Sequence, residues 1–545
     1  KRPYVHAVGH CSRCDTVVEP RLSLQWFVKV ESLAKAAGDA VRDGRVTISP
    51  PEMARNYFDW VDNMHDWCIS RQLWWGHRIP VWYGPKGETV VVGPDDDTPM
   101  GDGWRQDDDV LDTWFSSGLW PLSTLGWPNE TPDLAKFYPT SVLLTGYDIL
   151  FFWVARMMMF GLYAKGGTQP FNNIVLHGMV RDSRGKKMSK SFGNVVDPLD
   201  WIERYGADAS RFTLAKGANP GADVPVSEDW AQGARNFVNK LWNAARFAMM
   251  NGATVEGALP DLESLAATER WILSRLASTV AEVDEYYDDF EIAKVCDALY
   301  HFTWDEFCDW YVELAKLPLE HGGAEAAATR RVLGHVLDVL LRLWHPIIPF
   351  ITEELWTTLT KGESLVVSPW PSGVVTGGGE IIDTDATDPI AEKLVADVQA
   401  IVTEVRRFRA EQGLKPGQRV PAQLDGLATT QLHPFEAQIR SLARLSAATE
   451  DFAETAGVVV AHGDGAIRVS LDLSGTIDVG KERARLTKAL DVAVSEVALA
   501  EAKLANPEFT GKAPEHVIDK MQARLAGARG DVVRLQNQLD ALPPA

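Results

Sequence analysis

The sequence predicts an α/β domain followed by an α-helical bundle, a small α+β region and a C-terminal antiparallel coiled coil. Three observations carry that prediction. From about residue 110 to 215, short apolar runs alternate with helical patterns, as in a domain built on a parallel sheet. From Asn236 onward, long segments repeat their apolar residues at helical spacing. The C-terminal stretch carries two heptad runs on either side of a turn-forming segment.

Composition permits this architecture. With 545 residues, 46% hydrophobic and 24% charged, the chain can bury large cores, and its length argues for more than one domain. The longest apolar run, "ILFFWVARMMMFGLYA", is interrupted by Arg156 and is too short to cross a bilayer, so it reads as a buried core helix with no membrane partner. No stretch reads as a secretory signal. Lys1 stands where Met is expected, and "KRPYVHAVGH" reads as the middle of a folded region, an expectation that an upstream part precedes it. Five cysteines make no disulfide framework. Cys68, Cys296 and Cys308 sit among apolar and aromatic residues as buried thiols do, which suits a reducing, cytoplasmic setting. The net charge of −21 repels nucleic acid on average, but residues 481–545 hold ten Lys and Arg against nine Asp and Glu, so local basic surface remains.

In chain order, residues 1 to about 110 read as short strand-like runs and loops. The bundle is read in "RNFVNKLWNAARFAMM", "TERWILSRLASTVAEVDEYYDDF" and "EIAKVCDALYHFTWDEFCDWYVELAK", with the prolines of "HPIIPFITEELWTTL" marking a helix entry. "PSGVVTGGGEIIDTDATDP" is a linker, and the helical "LVADVQAIVTEVRRFRAEQG" beyond it can return to the bundle. In the tail, Leu486, Leu490, Ala493, Val497, Ala500 and Leu504 step by four and three. Ile518, Met521, Leu525, Ala528, Val532, Leu535, Leu539 and Leu542 do the same. The segment "NPEFTGKAP" between them predicts a hairpin. Charged outward positions favour a free arm over a helix pair packed on the body.

The stretch most suggestive of chemistry is "VRDSRGKKMSKSFGNVVDP". A buried strand, Ile174 to Val180, delivers the chain to a sheet edge, "DSRG" turns it, and "FGNVVDP" leads to a helix start. Lys187 and Lys190, three apart, can bring two ammonium groups to one polyphosphate and stabilise charge on a leaving pyrophosphate. Ser189 and Ser191 add donors, and Gly185 and Gly193 let the loop open and close.

"KMSKS" is the second signature of the class I aminoacyl-tRNA synthetases, which the chain resembles over essentially its whole length. "DWCISRQLWWGHRIPVWYG" is similar to the return from the inserted domain in the valine and isoleucine enzymes. "VLDTWFSSGLWPLSTLGWP" and "LTGYDILFFWVARMMMFG" resemble the valine-specific members. The resemblance implies the second half of a Rossmann-like catalytic domain at residues 66–228, preceded at 1–65 by the remnant of an inserted editing domain. It implies a helical anticodon-binding domain at 229–420, a small α+β region at 421–478 and a coiled-coil tRNA-binding arm at 479–545. It implies ATP with Mg2+ as substrate, bound by His177, Gly178, Lys187, Met188, Ser189 and Lys190, with Lys187 and Lys190 catalytic. It assigns valine to Trp114, Gly146, Asp148, Ile149 and Trp153, the carboxylate of Asp148 holding the α-ammonium group within apolar walls. On an α-helix Ile149 and Trp153 share a face.

tRNA is the implied macromolecular partner, the enzyme is expected to be a monomer, and the missing N-terminal half of the same enzyme is expected as a further partner. The first signature, His-x-Gly-His, is absent from this sequence: "HAVGH" has the wrong spacing. The expectation is that this chain alone forms no aminoacyl-adenylate. Cys11 and Cys14 supply half of a tetrahedral Zn2+ site, to be completed by a second pair, by His10, or not at all. An isoleucine or leucine enzyme, or a noncatalytic tRNA-binding protein derived from a synthetase, remains the alternative.

Overall fold

The computed structural model describes all residues except 1–3, 12–13, 20–21, 190–191, 372–373, 376–380, 383–386, 463–464, 475–478, 507–514 and 542–545. The chain divides into two units: residues 1–201, 213–231 and 286–295 form one, and 202–212, 232–285 and 296–545 form the other.

In the first unit, three parallel strands make the central sheet: β1 (Thr47–Ser49), β2 (Thr140–Gly146) and β3 (Phe171–His177), with β3 in the middle. Ile174, Val175 and Leu176 are buried in succession, as expected of a strand covered on both faces. The register sets Leu176 beside Thr145 and His177 beside Gly146, so β2 and β3 end together. The strand expected to run to Val180 therefore stops at His177. Val180–Arg181 (β4) belongs instead to a two-stranded parallel sheet with Val224–Pro225 (β5), because the chain turns out of the central sheet at Gly178.

Residues 1–110 hold more helix than their pattern suggests. Glu31–Arg42 and Met53–Asp62 are helices, and Ala34, Ala37 and Ala40 of the first are buried in the same core as Ile48, Phe171, Ile174 and Leu176. The apolar stripe of the first is made largely of alanine, whose small side chains allow close approach but give a weak hydrophobic signal, whereas the second buries Tyr57 and Val61.

The run after β2 is a 3₁₀ turn at Tyr147–Ile149, a π turn at Leu150–Val154 and an α-helix at Ala155–Ala164. By length and composition Tyr147–Ala164 is apolar enough to span a membrane; Val154, Ala155, Met157, Met158 and Met159 lie in the core over the sheet. The wide π turn removes the α-helical face expected to be shared by Ile149 and Trp153.

In the second unit, helices surround a core that includes Phe237, Leu241, Phe302, Phe307, Tyr311, Leu337 and Trp344. The Trp344 indole donates to the hydroxyl of Thr303 (2.9 Å), and the buried carboxylate of Glu269 accepts from the hydroxyls of Thr268 (2.6 Å) and Thr329 (2.8 Å). Burial pushes the Glu269 carboxyl above its ordinary range. Helix Pro389–Glu411 does return to the bundle. Its cap residue Asp388 donates its N–H to Ser274 Oγ (2.8 Å), and that hydroxyl donates to Glu392 (2.5 Å).

Beyond it lies a four-stranded sheet in the order Leu445–Ala447, Val420–Asp425, Gly465–Leu471, Ala456–His462, with the first pair parallel and the rest antiparallel. The tail is the expected hairpin, formed by Val479–Leu504 and Glu515–Ala541. Leu486, Ala493, Ala500, Ala528 and Leu535 are buried, and Arg524–Glu496 (3.0 Å) and Arg529–Glu501 (2.7 Å) pair across the two helices. Most of the turn segment and Leu542 lie outside the described residues. The arm is not free along its whole length, because Arg534 reaches Glu411 (3.5 Å) and, with Gly530 and Val533, borders a cleft of about 380 Å3 against Gln412 and Ala456–Val459.

Gly334, on helix Gly323–Trp344, faces the backbone of Thr254 so closely that a Cβ would fall 2.0 Å from its carbonyl oxygen. The neighbour is main chain and cannot rotate away. Gly334→Ala should therefore destabilise the second unit by about 2 kcal/mol or more, read as a lowered denaturant midpoint in equilibrium unfolding.

Candidate nucleotide and amino-acid site

The site begins where β2 and β3 end. In open α/β sheets, ligands collect outside the carboxyl ends of the strands. At the end of β2, Gly146 has no side chain, and a Cβ there would lie 2.7 Å from Asp148 Oδ1, 3.5 Å from Met179 Sδ and 3.6 Å from His177 Cε1. The glycine makes room for the Asp148 carboxylate to fold back over the strand end beside His177. Asp148 is exposed, and its carboxylate makes no hydrogen bond or ion pair among the described residues, which leaves it available to a cation. The Nδ1 of His177 donates to the carbonyl of Gly178 (2.8 Å).

The aromatic walls come from two segments. Helix Thr113–Gly118 is capped by Asp112, whose Oδ1 accepts from the N–H of Trp114 (3.0 Å). Trp114 stacks on Phe152 with ring centroids 5.9 Å apart, and Trp153 donates its indole N–H to the carbonyl of Ser117 (3.0 Å) while meeting Trp120 edge-on. Trp153 is thus held by the helix that carries Trp114, and Ile149 is half-buried at the end of the 3₁₀ turn.

Past β3 the chain is pressed against residues 219–226. A Cβ on Gly178 would lie 1.7 Å from the carbonyl oxygen of Ala222, so no side chain fits there. The basic loop then opens with a tight turn. Asp182 Oδ1 accepts from the N–H groups of Arg184 (3.0 Å) and Lys186 (2.8 Å), with Gly185 at φ +75°. Asn194 closes it from the far side: its Nδ2 donates to Asp182 Oδ2 (2.9 Å) and to the carbonyl of Lys187 (3.2 Å), while its Oδ1 accepts from the N–H of Ser189 (2.9 Å).

Lys187 is exposed, while Met188 and Ser189 are half-buried; Lys190 and Ser191 lie outside the described residues. A cleft of about 940 Å3 borders the loop, lined by Arg184, Lys186, Lys187, Asn194, Trp201 and Glu228 among others. Asp148, Gly146 and His177 do not line it; they are joined to the loop through the strand ends and through the pairing of Arg181 with Lys187.

Sequence reasoning singled out the glycines and lysines but missed Asp112, Phe152, Asp182, Asn194 and Asp223. Asn194 stands in the quoted "FGN" and Asp112 in "VLDTW", so both had a local signal. Asp223 had none, because its partners are far away in sequence.

Cys11 is half-buried and Cys14 exposed. The hydroxyl of Thr16, 3.3 Å from Cys14 Sγ, holds that thiol below its usual pKa, followed by the Thr16 backbone and the Cys11 side chain. The Nδ1 of His10 donates to the carbonyl of Asp15 (2.7 Å). Among the described residues no group of three or more His, Cys, Asp or Glu could hold a metal ion, so the two thiols do not by themselves fit a closed tetrahedral zinc site.

The Asp182 carboxyl is held below the ordinary carboxylate range by the Asn194 amide first and then by the Lys186 N–H. A group depressed in the folded state stabilises it above the unfolded pKa, and that contribution disappears as pH falls through the folded value. Protection of the Lys186 amide from hydrogen exchange should accordingly hold at neutral pH and decline only below about pH 4. Asn194→Ala should move the onset of that decline to higher pH.

Three family profiles match the chain. "tRNA synthetases class I (I, L, M and V)" covers residues 12–99 and 97–227, "Anticodon-binding domain of tRNA ligase" covers 269–424, and "Valyl tRNA synthetase tRNA binding arm" covers 478–543. The chain is 66% identical over 545 residues to a valine–tRNA ligase of Streptomyces avermitilis, covering 100% of itself and 61% of that relative. It is 56% identical over 554 residues to the one of Nocardia farcinica, covering 99% and 61%. It thus spans about three fifths of the length of these relatives. Among solved structures, Mycobacterium tuberculosis methionyl-tRNA synthetase in complex with methionyl-adenylate matches with a TM-score of 0.52 and 20% identity over 68% of this chain and 72% of that one, a likeness of fold alone. These matches, with the loop "KMSKS", place the chain in the valine–tRNA ligase family of class I aminoacyl-tRNA synthetases.

Proposed function

We propose that this chain serves the ATP-dependent attachment of valine to tRNA, supplying the half of the catalytic site that carries "KMSKS" together with tRNA-binding domains. The observation that carries this reading is the pairing of Gly146 with His177, which sets Asp148 and the root of the basic loop at one end of the sheet. In the reaction, a carboxylate oxygen of valine attacks the α-phosphorus of ATP; an O–P bond forms, the bond to the bridging oxygen breaks, and pyrophosphate leaves.

Asp148 holds the α-ammonium group. Its free carboxylate folds over Gly146, and Trp114, Ile149 and Trp153 form the apolar boundary. Lys187 stabilises the charge that accumulates on pyrophosphate, joined by Lys190, and His177, Gly178, Met188 and Ser189 border the nucleotide. Mg2+ enters with ATP as part of that substrate. Zn2+ binding at Cys11 and Cys14 would need two further donors.

Residues 1–65, 66–228, 229–420, 421–478 and 479–545 are proposed as inserted-domain return, half catalytic domain, anticodon-binding domain, α+β region and tRNA arm. The arm's near balance of charge, with Arg524 and Arg529 matched by Glu496 and Glu501, means that the arm itself carries little net charge to repel RNA, unlike the acidic remainder of the chain.

The test is valine-dependent ATP–pyrophosphate exchange. This chain alone, which contains no His-x-Gly-His, should show none. In a full-length ligase carrying this sequence, Lys187→Ala should lower kcat roughly 100-fold, in line with loss of one group that stabilises the transition state. Asp148→Ala should raise the KM for valine at least about tenfold. Full exchange by the isolated chain, or an unchanged valine KM in Asp148→Ala, would overturn the reading.

A further inference from the structure

Asp223 lies in the segment "GANPGADVP" after helix Ala207–Gly217, outside every motif described above. That segment runs along the exit of β3 as an added edge. The N–H of Gly221 donates to the carbonyl of Leu176 (3.1 Å), Val224 to Met179 (2.9 Å) and Val226 to Arg181 (3.1 Å). The contact of Gly178 with the Ala222 backbone leaves no space between the two strands of chain.

Three donors from two other segments converge on the Asp223 carboxylate. Oδ1 accepts from the Tyr147 hydroxyl (2.9 Å) and from the N–H of Met179 (2.8 Å), and Oδ2 accepts from Arg181 Nε. Tyr147 immediately precedes Asp148. Arg181 is bridged to Lys187 across the base of the basic loop. One carboxylate thus stands one residue from the group assigned to valine and one bridge from the group assigned to phosphate.

We propose that Asp223 is a positioning residue that couples the amino-acid turn at Tyr147–Asp148 to the phosphate loop at Lys187, so that occupancy of one sets the geometry of the other. It touches neither substrate. Its Oδ1 takes the Tyr147 hydroxyl and the Met179 amide together, so a shift of the Tyr147 turn must shift or break a bond at the root of the loop. Arg181 makes the same demand from the other side. Its charge-assisted bond is the strongest kind available there. The carboxyl is held below its ordinary range by the Met179 N–H first, then by Arg181 and Tyr147, so it stays ionised through the working pH range.

This inference rests on the reading given under the proposed function, and the experiment separates the two. In the full-length ligase, ATP–pyrophosphate exchange is measured while ATP and valine are varied independently. Tyr147→Phe removes one oxygen on the amino-acid side and should raise the KM for ATP at least threefold. Arg181→Lys alters only the loop side and should raise the KM for valine at least threefold. Asp223→Asn, which sets an amide N–H against either the Arg181 guanidinium or the Met179 N–H, should lower kcat at least tenfold and abolish both cross-effects when combined with either change.

Changes confined to the substrate on the altered side, or cross-effects that persist undiminished with Asp223→Asn, would overturn the coupling while leaving valine activation intact. If Asp223→Asn does not fold, the cross-effects of Tyr147→Phe and Arg181→Lys decide the matter alone. Absence of valine-dependent exchange in the unaltered enzyme would overturn the functional reading, and the coupling with it.

Discussion

The first unit depends on two parallel strands ending at the same level. Because His177 is paired with Gly146, every group that leaves the sheet there starts from a shared edge. Each strand end is a glycine position for a different reason. Gly146 admits the Asp148 carboxylate over the backbone, and Gly178 lets the chain pass against Ala222. A side chain at either place would separate elements that the site needs together.

Beyond the edge, hydrogen bonds replace hydrophobic burial as the organising force. The basic loop is mostly exposed, so it has little apolar surface with which to hold a shape. Its form comes from two short polar side chains, Asp182 and Asn194, which satisfy main-chain N–H groups from opposite sides. Such bonds order the ends of the loop and leave the ammonium group of Lys187 facing solvent. That combination suits the phosphate-binding role proposed for the loop.

The second unit relies on small residues at close contacts. Gly334 lets the loop at Thr254 lie directly on its helix, and Ala493, Ala500 and Ala528 bring the two helices of the arm together at short range, while larger residues such as Phe237, Leu337 and Trp344 fill the bundle core. The arm shows the economy of this device over a long span. A narrow seam suffices because the paired charges on either side, Arg524 with Glu496 and Arg529 with Glu501, face water. At its base the Arg534–Glu411 pair ties the return helix to helix Pro389–Glu411.

Periodicity and local chemistry are properties of short stretches of chain, and those were legible without coordinates: the bundle helices, the heptad hairpin, the α/β character of 110–215, the loop at 182–194 and the acid at 148. Helix Glu31–Arg42 escaped because alanine makes a faint stripe, and the π turn at Leu150–Val154 escaped because its spacing reads as an ordinary helix. Tertiary structure alone decided that His177 stands beside Gly146, that Trp153 bonds Ser117, and that Asp223 gathers Tyr147, Met179 and Arg181. Those relations join residues 31 to 76 positions apart. No local preference encodes such a contact, because it exists only once the sheet register has brought the segments into one place.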